Sequence, residues 1–302
     1  MKGIAVVGSS NTDMIISMGR IPKPGETIIG GDFAMAAGGK GANQAVAAAR
    51  AGGRVSFIAR VGDDLFGEQA IRGFAADGID VRHVQKDGSA PSGVALIFVG
   101  GDGENSIGVA SGANARLSPD DIALAREAIG SAGVLLVQLE IPIETVRAAV
   151  LAAARDARVI LNPAPAQPLD DDLLGRVSIL TPNETEAALL TGLEVEDEAG
   201  AALAAEALRR RGPEIVIITL GAKGALVSDA SGNRLVPAFS VDPVDTTAAG
   251  DVFNGALAIA LSEDRPLDEA VRFANAAAAI SVTRPGAQPS APGRTEIEAL
   301  IA

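Results

Sequence analysis

Short runs of aliphatic, largely β-branched residues alternate with alanine-rich segments of helical character along most of this chain, and that alternation restricts the fold more than any other feature. The runs at 4–7, 55–61, 134–138, 159–161, 178–180 and 215–220 carry few polar residues, so as strands they must be covered on both faces. Between several of them, 42–51, 143–154 and 198–211 read as helices. The pattern predicts an α/β fold, a mainly parallel sheet with helices on both sides. The 302 residues leave room for two domains or one large one. No linker, repeat or low-complexity tract divides them, so residues 1–302 are expected to form a single domain.

Two regions break the alternation. Residues 21–37 and 90–113 are rich in Gly, Thr, Ile and Val without a helical period, which predicts antiparallel strands or hairpins inserted in the α/β core. Ordinary surface loops are the alternative. One insertion leads straight into Gly38-Gly39-Lys40-Gly41, which favours a small lid over a site, formed by about residues 12–38 and 90–112.

Polar residues come directly after the predicted strands. Asn11 and Asp13 come after the first, Glu140 after 134–138, Asn183 and Glu186 after 178–180, and Gly221 after 215–220. Ligands of open parallel sheets bind just outside the carboxyl ends of the strands, so these residues are expected to share one cleft. Each alone could be a turn residue or a helix cap, Asn183 and Glu186 above all.

Near the C-terminal end, Asp245-Thr246-Thr247-Ala248-Ala249-Gly250-Asp251 runs into an apolar segment of helical character at 252–261. Ala249, Gly250 and Asp251 are therefore expected at a helix N-terminus, where amide N–H groups and the helix dipole make an anion site. A carboxylate there repels the anion. Asp251 is either a favourable first-turn acid or the acceptor of a proton from a hydroxyl that attacks phosphorus.

Composition removes other chemistries. The sequence has no Cys and one His, His83, which excludes disulfides, thiol nucleophiles and a multi-His metal site within the chain. General-base work is left mainly to Asp, Glu or Lys. A net charge of −13, with no block of basic residues, argues against nucleic acid or an anionic membrane as partner. No uninterrupted apolar stretch approaches the ~18 residues of a membrane span, and the apolar run at the start is too short for a signal peptide, so a soluble, cytoplasmic protein is expected.

Gly39-Lys40 does not belong to a Walker A loop, because Ala34 stands where its first Gly belongs and Gly41 where Ser or Thr belongs. No G-x-G-x-x-G comes after the first strand either. The chain instead resembles the PfkB family of carbohydrate kinases over essentially its whole length. The resemblance rests on Gly8-Ser9-Ser10-Asn11-Thr12-Asp13, Gly38-Gly39-Lys40-Gly41-Ala42-Asn43-Gln44-Ala45, Gln138-Leu139-Glu140, Asn183-Glu184-Thr185-Glu186, Thr219-Leu220-Gly221-Ala222-Lys223-Gly224 and residues 245–251. The full glycine–lysine stretch and Gly103-Glu104-Asn105-Ser106-Ile107 are similar to the members that act on ribose.

The resemblance implies a three-layer α/β/α fold with a small β-strand lid. It implies as reaction the ATP-dependent phosphorylation of D-ribose at O5, giving D-ribose 5-phosphate and ADP. By the same resemblance Asp251 would be the base, and Ala248, Ala249 and Gly250 the anion hole for the transferred group. Asn11, Asp13, Gly39, Lys40, Gly41, Asn43 and Glu140, with Asp251, would bind the sugar. Asn183, Thr219, Gly221, Gly224, Gly250 and Asn275 would surround ATP, and Glu186 would help place Mg²⁺ through water. Asp245, Thr247, Ser281, Arg284, Gly286 and Ser290 would hold K⁺, mostly through backbone carbonyls. Relatives pair through the lid, so a homodimer is expected. The rivals are a kinase of the same family for deoxyribose, another sugar or a nucleoside, and a non-catalytic sugar-binding protein on the same scaffold.

Overall fold

In the computed structural model, which describes residues 2–302, thirteen strands form two sheets. They are β1 (Gly3–Val7), β2 (Asn11–Ser17), β3 (Asp32–Gly38), β4 (Val55–Gly62), β5 (Asp80–Asp87), β6 (Gly93–Val99), β7 (Asn105–Ala110), β8 (Ala132–Val137), β9 (Arg158–Leu161), β10 (Ile179–Leu180), β11 (Ile215–Thr219), β12 (Gly224–Asp229) and β13 (Gly232–Pro237). The large sheet runs β13-β12-β11-β10-β9-β8-β1-β4-β5, with every neighbouring pair parallel except β11–β12 and β12–β13, so that β12 alone runs against the rest. The helices are α1 (Lys40–Arg50), α2 (Leu65–Ala76), α3 (Pro119–Leu124), α4 (Arg126–Ser131), α5 (Ile143–Ala152), α6 (Asp171–Leu174), α7 (Glu184–Thr191), α8 (Glu198–Arg209), α9 (Ala249–Ser262), α10 (Leu267–Ser281) and α11 (Arg294–Ile301).

The strand sequences dictate three layers. Side chains alternate across a strand, so Ile4 and Val6 of β1 enter one core with α1, α9 and α10, while Ala5 and Val7 enter the other with α3, α5 and α8. Every β1 residue after Gly3 is buried, which is what a run without polar residues requires. The six strands anticipated from the sequence all form. The antiparallel pair β12–β13 was not anticipated, because it is a local hairpin closing the sheet edge and not a strand–helix unit.

The four-stranded sheet runs β3-β2-β6-β7, and its first strand in the chain begins four residues after β1 ends. This corrects one expectation. Of residues 21–37 only those from Asp32 onward form a strand, and the partner of β3 is Asn11–Ser17, whose Asn11 and Asp13 read from sequence as polar residues trailing β1. Pro22 and Pro24 lack the N–H groups a ladder needs, so 21–31 stays irregular. Among the described residues no helix is long and apolar enough to cross a membrane.

Helix α9 is buried continuously from Asp251 to Ser262, between α1, α10 and the sheet. Its contact with α1 depends on Gly255, where a Cβ would stand 2.6 Å from the Gln44 carbonyl oxygen and 2.7 Å from Ala47 Cβ. The two helices that carry the polar motifs are thereby fixed against each other. Gly255→Ala should cost roughly 1–3 kcal/mol of stability by overpacking. Gly73→Ala, in α2 with open space around its Cβ, should instead add about 0.5–1 kcal/mol. Urea unfolding of both variants separates the two effects, and a Gly255 variant as stable as the parent would contradict the tight contact.

Candidate active site

The order of the large sheet reverses direction at β1, with β8 on one side and β4 on the other, and the cleft opens at the carboxyl ends of β1 and β8. Ser9, Ser10 and Asn11 leave β1 there, and Glu140 comes after β8. The α1 N-terminus is pressed onto the same edge. Gly39 has φ 89°, and a Cβ on it would lie 2.7 Å from the Asn11 amide nitrogen. A Cβ on Gly41 would lie 2.6 Å from the Gly8 backbone, so side chains at these two positions would drive α1 off the sheet.

This approach assembles a charged cluster. Ser9 Oγ donates to Glu140 Oε2 at 2.5 Å and the Lys40 amide donates to the same oxygen at 3.0 Å. Asn43 Nδ2 donates to Asp251 Oδ2 and Gln44 Nε2 to Asp251 Oδ1, both at 2.9 Å. Asn11 Oδ1 accepts from Asn114 Nδ2 at 2.7 Å, and Asn114 Oδ1 accepts from the Ser10 amide. A cavity of about 400 Å³ beside the cluster is lined by Asn11, Asn114, Glu140, Pro165 and Gln167. Asp13 reaches the cluster from the lid strand β2.

Burial raises the pKa of Asp251, against the Lys40 charge and the amides of Asn43 and Gln44, which favour the carboxylate. Burial, then the charges of Glu140 and Asp251, push Asp13 up to about 6. Burial also raises Glu186. Burial works against the Lys40 ammonium, but Asp251, Glu140 and Glu186 outweigh it and hold its pKa above the ordinary value. Three acids thus converge on one cation.

On the other side of α9 lies a cavity of about 440 Å³ lined by Thr219, Gly221, Gly224, Phe239, Ala249, Gly250 and Asn275, among others. Asn183 is not on its wall. Asn183 and Glu186 form a capping box at α7, with Asn183 Oδ1 accepting from the Glu186 amide and Glu186 Oε2 from the Asn183 amide. Asn183 still bridges Thr219 through its backbone. Asn275 Nδ2 donates to the carbonyls of Val236 and Pro237, so its amide N–H groups are engaged with the β13 backbone.

Ala248 caps α9 in the left-handed region, φ 59° and ψ 13°. The Ala249 amide donates to the Thr246 carbonyl at 3.2 Å, so the open donors of the first turn are those of Gly250 and Asp251. That narrows the sequence expectation, which counted Ala249 among the free amides. Behind this turn, Asp245 Oδ1 accepts from the Thr247 amide and Oδ2 from the Gly286 amide, bringing the two segments onto one carboxylate. Ser281 and Ser290 hydroxyls donate to the carbonyls of Ala278 and Ala287, leaving oxygen lone pairs. The Arg284 side chain pairs with Glu296 and turns away to α11. No group of three or more His, Cys, Asp or Glu residues able to hold a metal occurs among the described residues. His83 sits in the edge strand β5, paired with Ile58 of β4.

Sequence reasoning missed Ser9, Gln44, Asn114, Gln138, Asn162 and Asn254. All are buried and polar. Ser9, Gln44 and Gln138 stand inside the family's motifs, but nothing in one sequence says that a polar residue within a buried segment will face its neighbours' amides.

A doubly wound sheet with a ligand cleft at its switch point, bordered by a helix N-terminus and a cluster suited to a polyol, is the architecture of a small-molecule kinase. The family model for pfkB family carbohydrate kinases matches residues 1–294, and the chain belongs to that family. It is 49% identical to the ribokinase of Haemophilus influenzae over 98% of this chain and 97% of the relative. It is 40% identical to the deoxyribokinase of Salmonella typhi over 96% and 95%. The structure of Arabidopsis thaliana ribokinase complexed with ribose and ATP superimposes with a TM-score of 0.89 at 34% identity, covering 99% of this chain and 98% of that one. The fold is the ribokinase-like one, and the chain is a sugar kinase.

The raised pKa of Asp13 bears on stability. The folded protein binds this proton more tightly than the unfolded chain, so ionisation destabilises the fold fully above about pH 6 and not at all below the ordinary carboxylate value of 3.8. Asp13→Asn should therefore stabilise the ligand-free protein at about pH 8 by up to ~1–2 kcal/mol, after allowance for solvent screening. Melting curves at about pH 8 and pH 5 check this: the gain must shrink at the lower pH.

Proposed function

We propose that this sugar kinase transfers the γ-phosphoryl group of ATP to O5 of D-ribose, giving D-ribose 5-phosphate and ADP. The observation that carries the reading is the place of Asp251. Its buried carboxylate lies at the α9 N-terminus, with Gly250 of the same turn lining the larger cavity and Lys40, Asn43, Glu140 and Asp13 gathered on the other side. A hydroxyl held by the second group would face the base, and the phosphoryl group would face the amides of the first turn.

Asn11, Asp13, Asn43 and Glu140 offer carboxylates and amides to sugar hydroxyls, Lys40 offers an ammonium, and Gly39 and Gly41 let the backbone approach. An analogue lacking one hydroxyl leaves a buried partner unpaired, which is how such a site selects its sugar. The Asn43 Oδ1 atom, buried without a partner, is one such waiting acceptor. Asp251 takes the hydroxyl proton, and the amides of Gly250 and Asp251, with Ala248 fixing their turn, stabilise the transferred charge. Ala249 shapes the turn and lines the nucleotide cavity, beside Thr219, Gly221, Gly224 and Asn275, while Asn183 supports Thr219.

Glu186 has the chemistry to hold Mg²⁺ through water, and the metal supplies neutralisation of phosphate charge. The oxygen-only set around Asp245, Thr247, Ser281, Arg284, Gly286 and Ser290 fits a hard monovalent cation such as K⁺, since Asp245 already joins the two segments whose carbonyls would bind it. The lid completes the site by keeping water from competing as acceptor. Its outer face, opposite Asp13 in register, exposes Phe33 (63%), Met35 and Leu96 (50%), and a second copy of the chain is the partner we infer for it. A sedimentation mass of one chain at micromolar protein rejects that homodimer.

A second reading, phosphorylation of 2-deoxyribose, is favoured by the deoxyribokinase relative alone. ADP release measured in parallel with D-ribose, 2-deoxyribose, fructose 6-phosphate and adenosine, each with K⁺ and with Na⁺, separates these. Preference for ribose with stimulation by K⁺ is expected. Turnover with another acceptor overturns the ribose assignment, and equal rates in Na⁺ overturn the cation site. Asp251→Asn should lower kcat at least ~10²-fold with a smaller change in sugar KM. Since the base must be ionised, kcat/KM should fall as pH drops through the raised pKa of Asp251.

A further inference from the structure

Behind Asp251 lies a chain of buried side-chain amides that no step of the reaction uses. Gln44, fully buried, donates both of its N–H bonds: one to Asp251 Oδ1 at 2.9 Å and one to Asn162 Oδ1 at 3.1 Å. Its Oε1 accepts from Gln138 Nε2 at 2.5 Å. Asn162 Nδ2 in turn donates to the Thr181 carbonyl at 2.9 Å. Thr181 Oγ1 donates to Asn254 Oδ1 at 2.7 Å, and Asn254 Nδ2 donates to the Gly250 carbonyl at 2.8 Å. The chain runs under the ends of β8, β9 and β10 and returns to the first turn of α9.

The polarity of this chain is fixed by its ends. A carboxylate only accepts, and the Thr181 carbonyl only accepts, so Gln44 and Asn162 must turn their NH₂ groups toward them. Gln138 closes the remaining freedom by donating to Gln44 Oε1. A Gln44 amide turned over would set its oxygen against both Asp251 Oδ1 and Asn162 Oδ1 and its NH₂ against that of Gln138. Two of these contacts, with Asp251 and Asn162, oppose the flip whichever way Gln138 stands, and the third does so while Gln138, whose Oε1 has no hydrogen-bond partner, keeps its orientation. Gln138 is itself closely packed, for a Cβ on Gly8 would lie 2.0 Å from Gln138 Oε1.

We propose that Gln44 is a positioning residue for Asp251: its amide, locked by Gln138 and Asn162, holds Oδ1 by a fixed donor and keeps the carboxylate from rotating toward either the nucleotide side or the sugar. Asn43 holds the other oxygen, Oδ2, from the same helix. The inference rests on Asp251 being the base. It deepens that reading by assigning the carboxylate's ionisation and direction to residues that touch neither substrate. A charge-assisted bond from a buried amide stabilises the ionised form, which burial opposes. The charged groups facing Asp251 are Lys40 on α1, Glu140 after β8, Asp13 on β2 and Glu186 on α7, and all remain when Gln44 is replaced.

Two substitutions test it. Gln44→Met keeps the length and removes both donors; Gln44→Glu keeps the shape and sets a second carboxyl against Asp251. Gln44→Met should lower kcat about 10-fold near neutral pH and move the acid limb of kcat upward by about one pH unit, with sugar KM within about twofold. Gln44→Glu should move the limb further in the same direction, because it adds repulsion as well as removing a donor. Gln138→Met, one residue further from the base, should shift the limb in the same sense by less. A role limited to packing would lower the yield or the melting temperature and leave the limb where it is in the parent. An unmoved limb in folded Gln44→Glu, or a change confined to sugar KM, overturns the proposal. Asp251→Asn separates the two ideas: if it retains near-normal turnover, the base assignment itself fails, and if it is inactive while the limb in both Gln44 variants is unmoved, only the positioning role fails.

Discussion

A buried carboxylate is the constraint on which the rest of this structure depends. Asp251 is 5% exposed, and ionised carboxylates are costly to bury unless charge and hydrogen bonds compensate. The compensation comes from one neighbouring helix. Lys40, Asn43 and Gln44 all lie in the first turns of α1, so the charge partner and both hydrogen-bond donors arrive as a unit. Whatever moves α1 relative to α9 moves all three. That explains why small residues crowd this contact: Gly255 on α9 and the alanines of α1 let the helix backbones come close enough for short amide side chains to reach the carboxylate.

The sheet then sets where the pair of helices stands. Because β1 lies between β8 and β4, the chain leaves β1 at a gap between connections, and the α1 N-terminus presses into that gap against Gly8. The Lys40 amide and Ser9 hydroxyl meet Glu140 there, so the loop after β8 is tied to the loop after β1. One carboxylate joins two crossovers. The same logic recurs behind α9, where Asp245 joins the Thr247 and Gly286 amides and ties the approach to α9 to the loop after α10.

The small sheet is an outgrowth of the same edge. Asn11 pairs with Gly38 and with Gly93, so β2, β3 and β6 meet at the mouth of the cleft. Alternation along β2 places Asp13 on one face and Thr12 and Met14 on the other. A single strand thus presents a titrating carboxyl to the site and an apolar surface away from it. The pKa of Asp13 is raised by that placement, through burial first and then through Glu140 and Asp251, so its ionisation opposes folding.

The sequence alone determined the layer architecture, because strands without a polar face have one stable environment, and the helices between them had to supply it. It also determined that a helix starts near Ala249 and that polar and charged residues gather at the strand ends, since glycine, acid and amide types recur there in compact motifs. It placed the small sheet at about residues 12–38 and 90–112 but did not determine that Asn11 to Ser17 form a strand or which strands it joins, because strand pairing is non-local and Thr12 to Ile16 have no partner until Phe33 to Ala37 and Val94 to Phe98 come alongside. Nor did it show that Asn183 and Glu186 satisfy each other as a cap, that Ala249 spends its amide on Thr246, or that Gln44, Gln138 and Asn162 form a locked chain to Asp251. Those facts concern which donor faces which acceptor at about 3 Å. The cap and the Ala249 bond are closed within three residues by local backbone geometry, whereas the contacts to Asp251 are decided only by the packing of α1 against α9, across more than 200 residues of sequence.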